Sequence, residues 1–225
     1  MKKKIAFLPV RGGSKSIPNK NIKSFCNKPL LFWVLNELQN SCLIDEIIVA
    51  TDSNEIKKIS LCFNFSKLTV YDRNKENAKD NSTTESVLLE YLNFRRLNNN
   101  DIIFLVQATS PFTKSIDFES AYKIFVDSDS DSLLSCTIFK RFLWDKQCKP
   151  KNYDIYNRPR RQDIDGDFIE NGAFYISFVK NILKSKNRIS GKISIYEMEE
   201  YTSFEIDEEY DWIIAENLMK KFNLN

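Results

Sequence analysis

The sequence predicts an α/β protein with a doubly wound, mostly parallel sheet, and three observations carry that prediction. Strand-like and helix-like runs alternate through the first 139 residues. The strand-like runs are short and continuously apolar, as strands covered on both faces are. The helix-like runs repeat apolar residues at i, i+3 and i+4, the spacing of a face that packs on a sheet.

In chain order, KIAFLPV (4–10) is an apolar run closed by Gly12 and Gly13, so it reads as a strand feeding a loop. PLLFWVLNELQN (29–40) has the helical repeat, EIIVAT (46–51) is a second strand and SNEIKKISLCF (53–63) a second helix. KLTVY (67–71) is a strand, and TTESVLLEYLNFRR (83–96) is a helix opening on hydroxyl residues that can cap it. DIIFLVQ (101–107), SIDFESAYKIFV (115–126) and SLLSCTIF (132–139) continue as strand, helix and strand. Residues 140–171 are polar and punctuated by Pro150, Pro159 and Gly166, so they read as an excursion from the sheet. AFYISFV (173–179) and ISIYEM (193–198) return as strands, and DEEYDWIIAENLMKKF (207–222) closes as an amphipathic helix. The whole chain, 1–225, reads as one domain carrying this excursion.

Composition limits the function classes. With 225 residues and 42% hydrophobic content the chain can bury one sizeable core and is too short for two ordinary domains. Lys+Arg 33 against Asp+Glu 31 leaves no global basic field for nucleic acid, so an anion site has to be local. No apolar run reaches membrane-spanning length, and the Met-Lys-Lys-Lys start lacks the apolar segment of a signal peptide. A cytoplasmic protein with no membrane partner is expected. Five scattered cysteines without a C-x-x-C pair argue against a disulfide framework and a structural zinc site. The chain has no histidine, which excludes Ser-His-Asp and Cys-His nucleophilic sites. Its chemistry has to run on carboxylates, cations, hydroxyls or metal.

Ligands of such sheets gather beyond the carboxyl ends of the strands, and the polar motifs fall there. After the first strand, Arg11, Gly12, Gly13, Ser14 and Lys15 form a glycine-rich basic loop, with Lys20 further on. Its amides and cations suit phosphate, although it is neither G-x-x-x-x-G-K-[ST] nor G-x-G-x-x-G, and a solvated basic turn fits the same residues. In TSFEIDEEYDW, an extended backbone puts Glu205 and Asp207 on one face with Ile206 turned to the core. That pair of carboxylates suits Mg²⁺, while a plain helix cap by Asp207 is the simpler alternative. The polar stretch YDRNKENAKDNSTTESV, Gln107 at the end of an apolar strand, and the three arginines of NRPRRQD complete the set, each also explicable as ordinary surface.

Together these motifs resemble the CMP-sialic acid synthetases, the acylneuraminate cytidylyltransferases. The resemblance rests on the opening Arg, Gly-Ser-Lys and Lys-Asn, on DRNKENAKDNSTTE, QATSP, NRPRRQD, ENGAFYI and FEID, in order from residue 5 to about 217. NRPRRQDxDGxxxENGxFY is especially similar to the branch with the animal enzymes. Two positions depart from relatives: Glu205 stands where many have Asp, and Ile169-Glu170 where some bacterial relatives have Arg-Pro.

The resemblance implies a Rossmann-like nucleotidyltransferase fold and attack of a nonulosonic acid's anomeric hydroxyl on the α-phosphate of CTP, releasing pyrophosphate. It implies that Arg11, Gly12, Gly13, Ser14 and Lys20 hold the triphosphate, with Arg11, Lys20 and Asp207 carrying the catalytic load. It further implies that Asn21, Arg73 and Thr84 face the cytosine nucleotide, and that Gln107 and Tyr175 face the sugar. Arg161 would be supplied across a homodimer formed by the 140–171 excursion. Glu205 and Asp207 would bind Mg²⁺ or Mn²⁺. Two other readings are a nucleotidyltransferase for another sugar class and a nucleotide-binding protein without catalysis.

Overall fold

A computed structural model describes residues 2–79 and 81–222. Among the described residues, nine strands and six α-helices appear. They are β1 (Lys4–Pro9), β2 (Ser24–Phe25), β3 (Lys28–Pro29), α1 (Leu30–Asn40), β4 (Glu46–Thr51), α2 (Asn54–Cys62), β5 (Leu68–Asp72), α3 (Thr84–Arg95), β6 (Ile102–Val106), α4 (Ser115–Asp127), β7 (Ser132–Phe139), β8 (Asp167–Phe178), α5 (Val179–Ser185), β9 (Ile193–Met198) and α6 (Glu209–Lys221). This is the expected alternation with the β2–β3 hairpin and the helix α5 added.

Seven strands form one sheet in the order β5-β4-β1-β6-β8-β7-β9. All of its pairings are parallel except those of β8, which runs antiparallel between β6 and β7. Alternation along β1 divides the core. Ala6 and Leu8 pack with Val34, Leu35, Phe118 and Phe125 from α1 and α4 on one face. Ile5 and Phe7 pack with Val87, Leu88, Val179 and Ile182 from α3 and α5 on the other. Each such side chain contributes about 1.5–3 kcal/mol by leaving water, so the sheet is clamped from both sides and its strand ends become fixed platforms.

A third cluster positions the site. Ile17, Phe25, Leu30, Phe112, Ile206, Trp212 and Met219 bury together, tying the loop after β1 to the segment entering α6. The small β2–β3 hairpin turns at Cys26 and Asn27, both at positive φ, the conformation that suits a two-residue hairpin.

Apart from one-residue shifts at other element ends, three boundaries differ from expectation. β8 begins at Asp167, so the last part of the 140–171 excursion is strand paired with Thr137–Phe139 of β7. Its first four residues are exposed and show no apolar repeat, which hides the strand in the sequence. Val179 opens α5 instead of ending a strand, because the continuous apolar run AFYISFV carries no break between the two. α6 begins at Glu209, with a reciprocal cap between Glu208 and Asp211.

Candidate active site

Two clefts open beyond the carboxyl ends of β1, β5 and β6. The first, of ≈ 230 Å³, is lined by Pro9, Arg11, Arg73, Ser82, Thr83, Thr84 and Val87. The second, of ≈ 340 Å³, is lined by Gln107, Thr109, Gly172, Tyr175, Arg188, Glu205 and Asp207. Larger clefts of ≈ 660 and ≈ 690 Å³ lie along β9 and beneath the excursion, and neither holds a sequence-predicted site residue. The first of these presents four carboxylates to one lysine, which is unsuited to a triphosphate.

Around the first cleft, the loop after β1 is fixed from below. Val10 donates its N–H to Ala50 O at 2.9 Å, and buried Asn21 donates from Nδ2 to Arg11 O at 3.3 Å. Asn21 is thereby a brace of the loop. Gly12 donates its N–H to Asp52 Oδ1 at 3.1 Å, and a Cβ there would meet Ser53 Cβ at 3.0 Å. Gly13 has open space around it, and Ser14 is half-buried on the same loop. Thr83 caps α3 by accepting from Ser86 N at 3.1 Å, which leaves Thr84 in the first turn as part of the cleft wall. Arg73 is 8% exposed, and its Nε has no hydrogen-bond partner among the described residues. Burial lowers the proton affinity of its guanidinium, against the carboxylates of Asp52 and Glu90, and neighbouring Arg11 lowers it further. Two guanidiniums thus share one partly desolvated cleft, an arrangement that favours an anion.

The second cleft is built around a bulge. Between Leu134↔Tyr175 and Cys136↔Glu170 the β7–β8 register shifts, and Gly172 sits there at φ +63. Buried Asn171 locks the bulge, accepting from Ser135 Oγ at 2.7 Å and donating to Thr202 Oγ1 at 3.1 Å. A Cβ on Gly172 would lie 1.2 Å from Glu205 Oε1, so glycine is needed for the carboxylate to be there at all. Ile206 is fully buried and donates its N–H to Thr109 O at 3.0 Å, placing Glu205 and Asp207 on either side of an anchor.

Lys20 crosses from the basic loop to this pair. Its Nζ donates to Ile206 O at 2.8 Å and to Asp207 Oδ1 at 2.9 Å. Asp207 therefore does not cap α6, since Glu208 takes that role. Burial, with the like charges of Asp207 and Glu170 and against the pull of Lys20, pushes the Glu205 carboxyl up to about 7. Tyr175 donates its hydroxyl to Glu170 Oε2 at 3.0 Å and is pushed up to about 12, mainly by burial. Gln107 follows β6, held by its N–H to Ala173 O at 3.0 Å.

The structure thus gathers Arg11, Arg73 and Thr84 on one cleft, Gln107, Tyr175, Glu205 and Asp207 on the other, and Lys20 bonded to the second. Arg161 lies apart, in the excursion, donating to Lys140 O at 3.2 Å and Glu200 Oε1 at 3.4 Å. Sequence reasoning missed Asp52, Asn171 and Arg188. Only the Gly after Asn171 carries a local signal, as an isolated glycine in a strand pattern.

The chain matches the family described as "Cytidylyltransferase" over residues 5–224. It is 36% identical to an N-acylneuraminate cytidylyltransferase from Oncorhynchus mykiss, over 96% of this chain and 50% of that protein. A pseudaminic acid cytidylyltransferase from Campylobacter jejuni is 26% identical over 97% of both chains. The chain spans about half the length of the first curated relatives it matches. Among solved structures, a CMP:2-keto-3-deoxy-manno-octonic acid synthetase complexed with CTP superposes with a TM-score of 0.69 at 14% identity, covering 98% of this chain and 100% of that one.

Proposed function

The chain belongs to the cytidylyltransferase family, and from that premise we propose that it transfers CMP from CTP to a nonulosonic acid, releasing pyrophosphate. The observation that carries the proposal is a pair of chemically distinct clefts at the carboxyl ends of the neighbouring strands β1 and β6, with Lys20 from the loop after β1 bonded to Asp207 of the second. A wall bearing the Arg11 and Arg73 guanidiniums meets the triphosphate, and a wall of amide, phenol and carboxylates with the Arg188 guanidinium meets the sugar. The names of the relatives from Oncorhynchus mykiss and Campylobacter jejuni both fall within that sugar-acid class.

In this reading Arg11, Lys20 and the loop amides hold the triphosphate, opposing the charge that builds on the leaving pyrophosphate. Gly12 has to exchange its bond to Asp52 for a phosphate oxygen, whereas Gly13 leaves its backbone open to approach. Arg73 and Thr84 orient the nucleotide, and Gln107 and Tyr175 orient the sugar so that its anomeric hydroxyl meets the α-phosphate in line with the departing group. The hydroxyl proton has an acceptor on the same wall, the Glu205 carboxylate.

Glu205 and Asp207 also suit Mg²⁺. Two crowded carboxylates, one pushed up by burial and like charge, make a donor set that a hard cation relieves, with phosphate oxygens and water completing its shell. When bound, Mg²⁺ supplies neutralisation of phosphate charge.

Arg161 would complete the sugar side of a partner copy in a homodimer. Exposed Trp144, Tyr156, Phe168 and Ile169 on and beside the excursion support that surface. The test is pyrophosphate release from CTP and Mg²⁺ with N-acetylneuraminate, its deaminated analogue, legionaminate and pseudaminate, repeated with ATP, GTP and UTP. Turnover with CTP and at least one of these acids is expected. Silence of the folded protein across the panel, or equal use of the other nucleotides, sinks the proposal.

A further inference from the structure

We propose that Arg188 contacts the substrate on the sugar side and sets its specificity by donating to an acceptor oxygen of the sugar acid, an inference that rests on the reading above. Arg188 follows α5 and lines the second cleft with Gln107, Tyr175 and Glu205. Its Nε donates to the Glu85 carboxylate, 103 residues away in the first turn of α3. The guanidinium lies over the Tyr175 ring at 4.9 Å from its centre. Both side chains of the pair are shielded, at 20% and 21% exposure.

Stability alone does not explain this pair. A shielded ion pair gives up hydration on both partners, and an apolar pair of similar volume packs at least as well. What the pair achieves is orientation. Glu85 from one side and the Tyr175 ring from another restrict a planar group with five N–H donors, only part of which they use. Burial works to raise the Glu85 carboxyl, yet the Arg188 hydrogen bond holds it below its ordinary value, so the pair stays charged at neutral pH. A charged, stacked guanidinium in the wall of a sugar-sized cleft selects a ligand bearing oxygen acceptors. The strongest acceptors of a sugar acid, ahead of its hydroxyls, are its carboxylate and, where it is N-acylated, the amide carbonyl.

The experiment is steady-state kinetics on wild type, Arg188→Met and the double variant Glu85→Leu/Arg188→Leu, each with N-acylated and deaminated sugar acids. The double variant removes both charges together and carries the comparison should Arg188→Met fail to fold. KM for the sugar acid is expected to rise about 10-fold or more, as for loss of a charged hydrogen bond, with KM for CTP within about twofold of wild type. A penalty confined to N-acylated substrates assigns the carbonyl, and a penalty on both kinds assigns the carboxylate. Unchanged sugar-acid KM in a folded variant, or a parallel rise in KM for CTP, overturns the role of Arg188 while wild-type turnover keeps the proposed reaction standing. If wild type turns over none of the acids, the proposed reaction falls and Arg188 with it.

Discussion

Glu205→Gln removes a carboxyl that the fold holds at an energetic cost. Glu205 is packed against Gly172 and stands beside Asp207 and Glu170, and burial with those like charges moves its titration from 4.5 to about 7. The folded state therefore holds this proton more tightly than the unfolded chain does. Its stabilising contribution is complete below pH 4.5 and is lost as pH rises through about 7. Each pH unit in that window is worth about 1.4 kcal/mol, so the whole window is worth on the order of 3 kcal/mol. Glutamine keeps the shape and carries no charge to desolvate. Urea denaturation in chelator at about pH 5 and about pH 8 should show wild type losing on the order of 3 kcal/mol more than Glu205→Gln. The variant should be the more stable protein at the higher pH and the poorer enzyme. Parallel losses in the two proteins would refute the assignment of strain to this carboxyl.

Gly172→Ala forces Glu205 to move and places alanine at φ +63, so activity should fall about 100-fold and stability by about 1–2 kcal/mol, read by pyrophosphate release and urea midpoint. Lys20→Met loses its bonds to Asp207 and to the Ile206 carbonyl, and Lys20 is itself only 12% exposed, so stability should fall by about 1–2 kcal/mol while kcat/KM for CTP drops about 100-fold. Arg73→Leu removes a buried guanidinium whose Nε lacks a partner among the described residues; calorimetry should show CTP binding weakened about 30-fold, with urea stability unchanged or about 1 kcal/mol higher.

Much of the fold was legible because burial on both faces writes itself into short apolar runs. ISIYEM coincides with β9, and SLLSCTIF with β7. Legibility failed where strand formation is driven by pairing without burial, as in Asp167–Glu170, and where no polar residue separates two elements, as at Phe178–Val179. The site divides the same way. Glu205 and Asp207 were readable because alternation around Ile206 forces them onto one side. Arg188 was not, since it sits in the cationic stretch KSKNRISGK and only its remote pairing with Glu85 distinguishes it from a solvated arginine.

The most direct test of the account follows the oxygen atom. Phosphorus NMR of the reaction of CTP with a turned-over sugar acid carrying heavy oxygen at its anomeric hydroxyl should show the label in the sugar–phosphate linkage of the CMP product and none in pyrophosphate. Label in pyrophosphate, or release of CMP without a sugar phosphodiester, would contradict attack of the sugar hydroxyl on the α-phosphate.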